Sequence, residues 1–342
     1  MDSKKLYQRK TPPFWESIQS YFKTNIGILA AFLLFFTMLS IWSEHFLTSR
    51  NMINVMRQIT TNANLAVGIM LCILIGGIDL SVGSVVGFIG AVSGILMVNH
   101  GWGVVTVKLI VEAGMSIPVA FAMGLLSGVV SGAASGLIIA YTEMPPFIVT
   151  LAMQNICRGA AYLIAGGNPI RITQGAFESI GTGYIGWAPL PVIYTAVILI
   201  CAFFIINKSR LGRHIYAIGG NKEAARYSGI NVKRVEIFVY TLSGLLAAFS
   251  GIIYAARMAS GQPAVAIGFE TDAISAVVVG GVSMTGGVGT LGGVILGSLL
   301  IGIISNGLNL IRVSSFWQYV VKGIIILIAV YMDMYRKRKE RF

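Results

Sequence analysis

The stretch LIGGIDLSVGSVVG, residues 74–87, places a glycine pair and the carboxylate of Asp79 in the middle of an apolar run. Glycine weakens the interior of a helix and favours turns, so the pattern predicts a break at Gly76-Gly77-Ile78-Asp79. Two short apolar segments, near 62–78 and 82–98, flank this break. No counter-charge lies nearby in the sequence, so the carboxylate needs either a capping role or access to water.

The rest of the chain has the composition of a membrane protein. Of its 342 residues, 56% are hydrophobic and 11% are charged, and the mean hydropathy is +0.79. Soluble domains carry about 25% charged residues, and a helix needs about 20 apolar residues to span a bilayer. The sequence therefore predicts an all-α, polytopic transmembrane helix bundle in which some helices are short or broken. About ten spans are predicted, near residues 26–42, 62–78, 82–98, 117–140, 147–166, 190–206, 236–256, 273–285, 289–310 and 317–333.

Basic residues are concentrated in residues 1–25, in the loop 207–235 and in the tail 336–342, which hold most of the 25 Lys and Arg. Cytoplasmic segments of membrane proteins are enriched in these residues, so an even number of spans predicts that both termini are cytoplasmic. The net charge of +12 then reflects topology and not nucleic-acid binding. No cleavage signal follows the first apolar run, so we expect a cytoplasmic segment 1–25 and a transmembrane domain 26–335.

The sequence contains few residue patterns that are typical of catalytic or metal-binding sites. The cysteines stand singly in apolar runs, which predicts buried apolar roles and neither a disulfide framework nor a metal site; they are Cys72, Cys157 and Cys201. No G-x-x-x-x-G-K-[ST] phosphate loop occurs. An intramembrane aspartyl protease, one alternative, would need a second mid-span carboxylate beside Asp79, whereas Asp272 and Asp333 lie at span ends. We expect no catalytic residue, no metal and no cofactor bound by this chain.

A second glycine-rich stretch resembles the first. GGVSMTGG (280–287) and GGIDLSVG (76–83) share the pattern G-G-[IV]-[DS]-[LM]-[ST]-x-G. Interrupted hydrophobic segments in corresponding positions of two halves indicate a transporter's central path. An internal repeat and a chance match both stay open, as does the orientation of such a repeat. The predicted broken-helix path residues are Gly76, Gly77, Asp79, Ser81, Gly280, Gly281 and Ser283.

Asp79 has two compatible interpretations. A carboxylate at the centre of a membrane helix costs about 2.5–3.5 kcal/mol on insertion scales. As a cap, Asp79 would accept the free N–H groups of Ser81 or Val82 at the positive end of the next helix. As a functional group, it would also face the translocation path. Capping and first-turn placement are likewise predicted for Glu270 and Asp272, which precede the eighth span.

The loop after the sixth span contains a predicted short helix from Lys222 to Tyr227. Asn221 is a favourable N-cap and Gly229 a favourable helix stop. The full stretch RLGRHIYAIGGNKEAARYSGINV (210–232) resembles the cytoplasmic loop of monosaccharide ABC-importer permeases of the ribose and galactose type. The resemblance continues, in matching order and spacing from about residue 25 to 335, in LTSRNMINVMRQ (47–58), GGIDLSVGS (76–84), PPFIVTLAM (145–153), DAISAVVVGGVSMTGGVGT (272–290) and WQYVVKGIIILIAVYMD (317–333).

This resemblance implies a mechanism. Two such permeases, identical or different, form the path in the bacterial cytoplasmic (inner) membrane. Two cytoplasmic ABC ATPase subunits, or one duplicated ATPase chain, bind the loop as a coupling helix and supply ATP and Mg²⁺. A periplasmic or lipid-anchored binding protein delivers the sugar. The matching coupling positions are Gly219, Gly220, Asn221, Glu223, Ala224, Ala225, Arg226, Ser228 and Gly229. The Ile-x-Leu-Pro continuation of other importer families is absent, since INVKRV follows Gly229 here, which puts the docking geometry in doubt.

The substrate is less constrained than the mechanism. Ribose is the first expectation and galactose or a related sugar the next. Four in-span amides are possible sugar contacts, although we favour helix–helix hydrogen bonding for each: Asn62, Asn64, Gln154 and Asn155. A stand-alone secondary sugar transporter is the alternative function. Such a protein needs intramembrane ionisable relays, for which the mid-span candidates are Asp79, Arg158 and Lys322.

Overall fold

The computed structural model describes residues 14–97 and 117–340 and is a bundle of α-helices joined by short loops. The helices are α1 (Phe14–Trp42), α2 (Ser49–Leu74), α3 (Val82–Met97), α4 (Ile117–Thr142), α5 (Pro146–Ala165), α6 (Gly175–Thr182), α7 (Leu190–Phe203), α8 (Arg210–Gly220), α9 (Lys222–Tyr227), α10 (Val232–Met258), α11 (Phe269–Val279), α12 (Leu291–Leu310) and α13 (Ser315–Glu340). A π-helical turn, Phe204–Lys208, prolongs α7.

Four two-residue strands form two small antiparallel ladders. β1 (Ile170–Arg171) pairs with β4 (Ser260–Gly261), and β2 (Tyr184–Ile185) pairs with β3 (Ala188–Pro189). The first ladder ties the segment after α5 to the end of α10, and the second is a hairpin directly before α7. Both ladders therefore connect loop segments, and the architecture is formed by the helices.

The helices confirm a multi-pass membrane bundle. Within residues 14–97 and 117–340, five are long and apolar enough to cross a bilayer, namely α4, α5, α7 with its π turn, α10 and α12. Shorter apolar helical stretches occur at Ile26–Trp42, Val82–Met97 and Phe316–Ile328. The helices α4, α5 and α7 expose most of their apolar surface, whereas α10 and α12 are mostly buried, which places the latter two at the centre.

Several predicted spans have different bounds in the structure. The span predicted at 62–78 ends at Leu74, and its helix starts earlier, at Ser49. The span predicted at 273–285 is wrong, because α11 has only 11 residues and ends at Val279. Its glycine-rich second half is non-helical. Helix α1 begins before residue 26, within the predicted polar segment, and α13 continues through the predicted tail to Glu340.

Small residues bring α4 and α10 into close contact. A Cβ on Gly132 would collide with the carbonyl oxygen of Tyr240, and a Cβ on Gly128 would collide with Ala248. Across the interface, Gly244 meets Gly128 and Gly132 in the same way. Such spacing lets membrane helices pack backbone to backbone.

The two glycine-rich breaks have the same backbone geometry, but the residues that correspond in structure are shifted by one position from those that align in sequence. Gly76 (φ +83°) donates its N–H to Ile73 O at 2.9 Å, and the next N–H reaches five residues back at 2.9 Å. Gly281 (φ +80°) donates to Val278 O at 2.9 Å, and the next N–H again reaches five residues back, at 3.1 Å. This is the Schellman helix ending, with glycine at its left-handed position. Gly76 therefore corresponds to Gly281 and not to Gly280.

Two of the three cysteines are buried, as expected. Cys72 and Cys157 lie in the helix core, but Cys201 is exposed on α7, which corrects the prediction for that residue. All three are free thiols.

Candidate functional site

The segment α8–α9 is positioned by local capping and by an amphipathic face. The Ser209 hydroxyl accepts from Gly212 N at 3.0 Å and starts α8. Ile215 and Ile218 are buried beneath the helix. The Tyr216 hydroxyl donates to Gly289 O at 2.8 Å. Burial raises the pKa of this hydroxyl, so it stays protonated as the donor at neutral pH.

The predicted helix Lys222–Tyr227 is confirmed as α9 with both of its ends. Asn221 Oδ1 accepts from Ala224 N at 2.9 Å, and Gly229 has φ +84° at the stop. Ala225 is 4% exposed and packs inward, so it cannot present itself to a partner. Tyr227 is 87% exposed. Tyr227 was not predicted as a functional residue, although an aromatic residue on a short polar helix is itself a signal.

Charged contacts hold α9 against the neighbouring helices. Lys222 Nζ lies 2.6 Å from the carboxylate of Glu236, whose side chain is largely buried on α10. Arg226 lies 3.6 Å from Glu143 and 3.7 Å from Glu223, and all three are exposed. Exposed pairs contribute little, roughly 0–1 kcal/mol, so the link from Lys222 to α10 is the firmer attachment.

Three glycine motifs meet at one junction beneath α8–α9. Gly287 N donates to Leu74 O at 3.0 Å, which joins the end of α2 to the break after α11. A Cβ on Gly219 would collide with Leu74 O and with Gly287 N, and a Cβ on Gly286 would lie 3.0 Å from Gly76 N. Only glycine at position 219 allows this approach. We define the glycine junction as residues 74–77, 219–220 and 285–287.

Asp79 lies buried beside this junction, and its carboxylate is fully engaged. Oδ1 accepts from the backbone N–H of Ser81 at 2.9 Å and from its hydroxyl at 2.6 Å. Oδ2 accepts from the Ser243 hydroxyl of α10 at 2.7 Å. Asp79 is 2% exposed, and its bond to Ser81 N confirms the predicted acceptor role. Ser81 and not Asp79 is the N-cap, because α3 begins at Val82 and Val85 N donates to Ser81 O at 2.9 Å. The contact with Ser243 was not predicted, and it ties the start of α3 to the central helix.

The first turn of α11 holds Glu270 and Asp272, as predicted. Glu270 Oε1 accepts from Gly268 N at 3.2 Å and from Gln154 Nε2 at 3.4 Å. Asp272 Oδ2 accepts from Lys322 Nζ of α13 at 2.8 Å, in an ion pair of which each side chain is 16% exposed. Arg158 donates to the carbonyls of residues 263 and 265 at 2.6 and 2.7 Å. Lys322 and Arg158, two of the mid-span candidates for an ionisable relay, therefore both have partners.

The four amides predicted as sugar contacts do not come together. Gln154 binds Glu270, and Asn155 Nδ2 donates to Leu151 O at 3.2 Å on an exposed face. Asn64 is 1% exposed in the core, and neither amide atom has a partner within the described part of the chain. Asn62 differs from these, because it lines a cavity.

That cavity has a volume of about 280 Å³ and lies among α2, α10, α11 and α12. Asn62 precedes Leu74 by twelve residues in α2, a rise of about 18 Å along a helix axis. The cavity and the glycine junction are therefore separated along the bundle. Its lining is polar and aromatic: Gln58, Thr61, Asn62, Tyr254, Arg257, Phe269, Asp272, Ile301, Gly302, Ser305 and Asn309. Within residues 14–97 and 117–340, no group of His, Cys, Asp and Glu forms a metal site.

A family model and several known permeases match most of the chain. Residues 51–330 match the family described as branched-chain amino acid transport system / permease component. The ribose import permease protein RbsC of Escherichia coli (strain K12) is 41% identical over 309 residues, covering 89% of this chain and 92% of that protein. RbsC of Bacillus subtilis (strain 168) is 39% identical, covering 90% and 92%. The L-arabinose transport system permease protein AraH of Escherichia coli (strain K12) is 38% identical, covering 92% of each. No solved structure matches the chain significantly.

Proposed function

This chain belongs to the permease-component family of branched-chain amino acid transport type, and from that premise we propose that it forms the membrane path of a monosaccharide importer. It is a transport subunit of an ATP-binding-cassette importer and not an enzyme. Ribose is the first candidate substrate, because the ribose import permeases of Escherichia coli and Bacillus subtilis are 41% and 39% identical to it. Arabinose, galactose or another related sugar comes next.

The observation that carries the proposal is the glycine junction. Tyr227 of the segment 210–229 is exposed, and Gly219 of the same segment touches both helix breaks. A partner that moves α9 would therefore move the ends of α2 and α11. We propose that this segment is the coupling element. Gly219 forms its base at the helix breaks and Ala225 packs inward, and the residues at or beside the docking surface are Gly220, Asn221, Glu223, Ala224, Arg226, Ser228 and Gly229.

The helix breaks line the path or control it in this proposal. Gly76, Gly77, Asp79 and Ser81 follow α2, whereas Gly280, Gly281 and Ser283 follow α11. Non-helical backbone at membrane depth is tolerated only where it faces protein or a water-filled cavity. Gly77, Asp79 and Ser81 are buried against protein, whereas Gly76 and Gly281 are exposed.

The remaining features of the importer are proposed on the same basis. Cytoplasmic termini in a bacterial inner membrane agree with the basic segments flanking the bundle. A second permease completes the path. Two ATPase subunits, or one duplicated ATPase chain, supply ATP and Mg²⁺, and a binding protein outside the membrane, periplasmic or lipid-anchored, delivers the sugar.

Affinity purification of the tagged chain from gently solubilised native membranes tests the partner set. We expect an ATPase with a phosphate loop to co-purify in near-equal amount and to hydrolyse ATP faster when a sugar-loaded binding protein is added. A chain that purifies alone under several mild detergents, and transports sugar in liposomes without ATP, would contradict the proposal.

A further inference from the structure

One face of the central helix α10 carries three buried polar side chains, those of Glu236, Tyr240 and Ser243. Their spacing of four and then three residues places them on one side of a helix. The first and the last are separated by about 10 Å along the helix axis. We call these three residues the α10 polar face. Buried polar groups need partners, and each residue of this face contacts a segment outside α10.

The first residue of the α10 polar face holds the coupling segment. Glu236 lies 2.6 Å from Nζ of Lys222, the first residue of α9. The Glu236 side chain is 7% exposed and that of Lys222 is 44% exposed, so the carboxylate is the desolvated partner. A buried ion pair contributes little net stability, because desolvation offsets the attraction, and its best-supported role is to select one packing arrangement. The pair therefore fixes how α9 lies on α10.

The other two residues of the α10 polar face reach the break after α2. The Ser243 hydroxyl donates to Asp79 Oδ2 at 2.7 Å. The Tyr240 hydroxyl lies against Gly77, where an added Cβ would collide with it. Helix α10 also packs directly on α2, since a Cβ on Gly68 would lie 3.0 Å from Ser243 Cα. This end of the face therefore contacts α2 and the segment that leads into α3.

We infer that the α10 polar face is a second coupling connection, in which Glu236 is a positioning residue that transmits movement of α9 to the start of α3. The inference rests on the proposed function and deepens it. The first connection is the glycine junction, where Gly219 meets the ends of α2 and α11. The second begins at Lys222, three residues further along the chain, and ends at Asp79. A shift of α9 is thus transmitted to both sides of the break after α2.

A structural anchor is the alternative role for this ion pair, and the two roles predict different losses. An anchor that only stabilises the fold should lower uptake and ATP hydrolysis together, because fewer importers are folded. A coupling connection should leave ATP hydrolysis running while less sugar is carried per ATP. The ratio of ATP hydrolysed to sugar transported therefore separates the two roles.

The test uses the complete importer in liposomes, with the permease, its ATPase subunits and the binding protein. Uptake of labelled D-ribose and hydrolysis of ATP are measured in the same preparation. Glu236→Gln keeps the shape of the side chain and removes its charge, Lys222→Met removes the partner, and Lys222→Arg retains a charged donor. The matched control is Lys233→Met, since Lys233 is an exposed lysine in the first turn of α10 whose Nζ lies 4.6 Å from the centre of the Tyr141 ring of α4.

Glu236→Gln and Lys222→Met should each raise the ATP used per sugar at least about threefold, the size expected for residues that carry coupling between sites. Lys222→Arg and Lys233→Met should stay within about twofold of wild type, as expected for surface substitutions. The affinity of the ATPase for the permease should not change, because Tyr227 is untouched. Thermal unfolding in detergent checks that each variant is folded.

A double-variant cycle tests whether Glu236 and Ser243 belong to one connection. Substitutions at separate, independent sites have additive free-energy effects, so their fold-changes multiply. In a single connection, Glu236→Gln combined with Ser243→Ala should be no worse than the more impaired single variant. Thr241→Val is the control on the same helix and should leave the ratio unchanged, because Thr241 Oγ1 donates to Ile237 O of α10 itself at 2.7 Å.

Three results would overturn the inference and leave the proposed function standing. The first is a wild-type ratio of ATP to sugar in both Glu236→Gln and Lys222→Met. The second is a pair of fold-changes that multiply in the cycle with Ser243→Ala. The third is an equal loss of uptake and ATP hydrolysis with a lower unfolding temperature, which identifies a structural anchor only. If the wild-type importer carries no sugar in response to ATP, the proposed function fails first and this connection falls with it.

Discussion

At the scale of single residues, Gly219 explains why the coupling segment can reach the helix breaks. Its Cα approaches two backbone groups, Leu74 O and Gly287 N, with no room for a side chain. A Cβ on its neighbour Gly220, in contrast, would meet no atom within 4 Å. Two adjacent glycines that look equivalent in sequence thus have different surroundings in the structure.

We therefore predict that Gly219→Ala abolishes ATP-driven uptake while the chain still inserts into the membrane. The added methyl group collides with backbone, which cannot rotate away as a side chain could. Gly220→Ala is the matched control. It should transport within about twofold of wild type, because adding a methyl group at an exposed glycine changes stability only slightly. Equal uptake by both variants would remove Gly219 from the coupling path.

Asp79 leads to a second prediction. An asparagine can accept from Ser81 with its oxygen and donate to the Ser243 hydroxyl with its amide, so Asp79→Asn should retain uptake. Asp79→Ala leaves the Ser81 N–H and both hydroxyls without this acceptor, at a cost of about 2–4 kcal/mol in unfolding free energy. Thermal unfolding in detergent measures the cost. A loss of uptake in Asp79→Asn with unchanged thermal stability would instead show that the charge itself is required.

At the scale of helices and loops, local sequence signals were sufficient to predict the bounds of α9. They were insufficient to predict how its side chains pack against other helices. Asn221 and Gly229 act through neighbouring backbone groups, so both ends of the helix could be predicted. The direction in which Ala225 and Tyr227 point depends on the helices underneath, and it could not be predicted. The same holds for the ion pair of Asp272 with Lys322, whose partners are 50 residues apart.

The exposed aromatic ring on α9 gives a prediction at this scale. Tyr227→Ala should weaken binding of the ATPase to the permease about tenfold or more, as expected for an aromatic anchor at an interface. Pull-down titration from detergent measures the affinity. Trp187→Ala is the control, because Trp187 is comparably exposed, at 84%, but belongs to the hairpin before α7. An equal loss in both variants, or none in Tyr227→Ala, would contradict a docking role.

The contact between α11 and α13 can be tested by breaking its ion pair in two ways. Lys322→Met leaves a largely buried carboxylate without its counter-charge and should cost about 2–3 kcal/mol of stability. The double variant Asp272→Asn with Lys322→Met removes both charges and should recover most of that loss. Denaturation in detergent compares the three proteins. If the double variant is no more stable than the single one, the pair does not act as a unit.

At the scale of the whole molecule, the two helix breaks lie on one side and the cavity on the other. Helices α2 and α11 both line the cavity with residues that precede their ends, and both lead into the glycine junction, so they run in the same direction. The sequence pattern indicated two related helix breaks, but the glycine-rich sequences alone could not show which residues correspond. The Schellman hydrogen bonds show the correspondence, which is shifted by one residue from the sequence alignment.

Helix α2 connects the cavity with the glycine junction. Residues near Asn62 face the cavity, and Leu74 O receives the contact from Gly287 at the other end. A shift of the coupling segment would thus be transmitted along a single packed helix. ATP hydrolysis is the task of a partner subunit, since this chain belongs to a family of importer permeases.

The most direct test is labelled ribose uptake into liposomes that contain the permease, with and without its co-purified ATPase, binding protein and ATP. Uptake should occur only when all components and ATP are present, and it should disappear in Gly219→Ala while Gly220→Ala behaves as wild type. Uptake by the permease alone, insensitive to ATP but abolished by a protonophore, would contradict coupling and identify a secondary transporter.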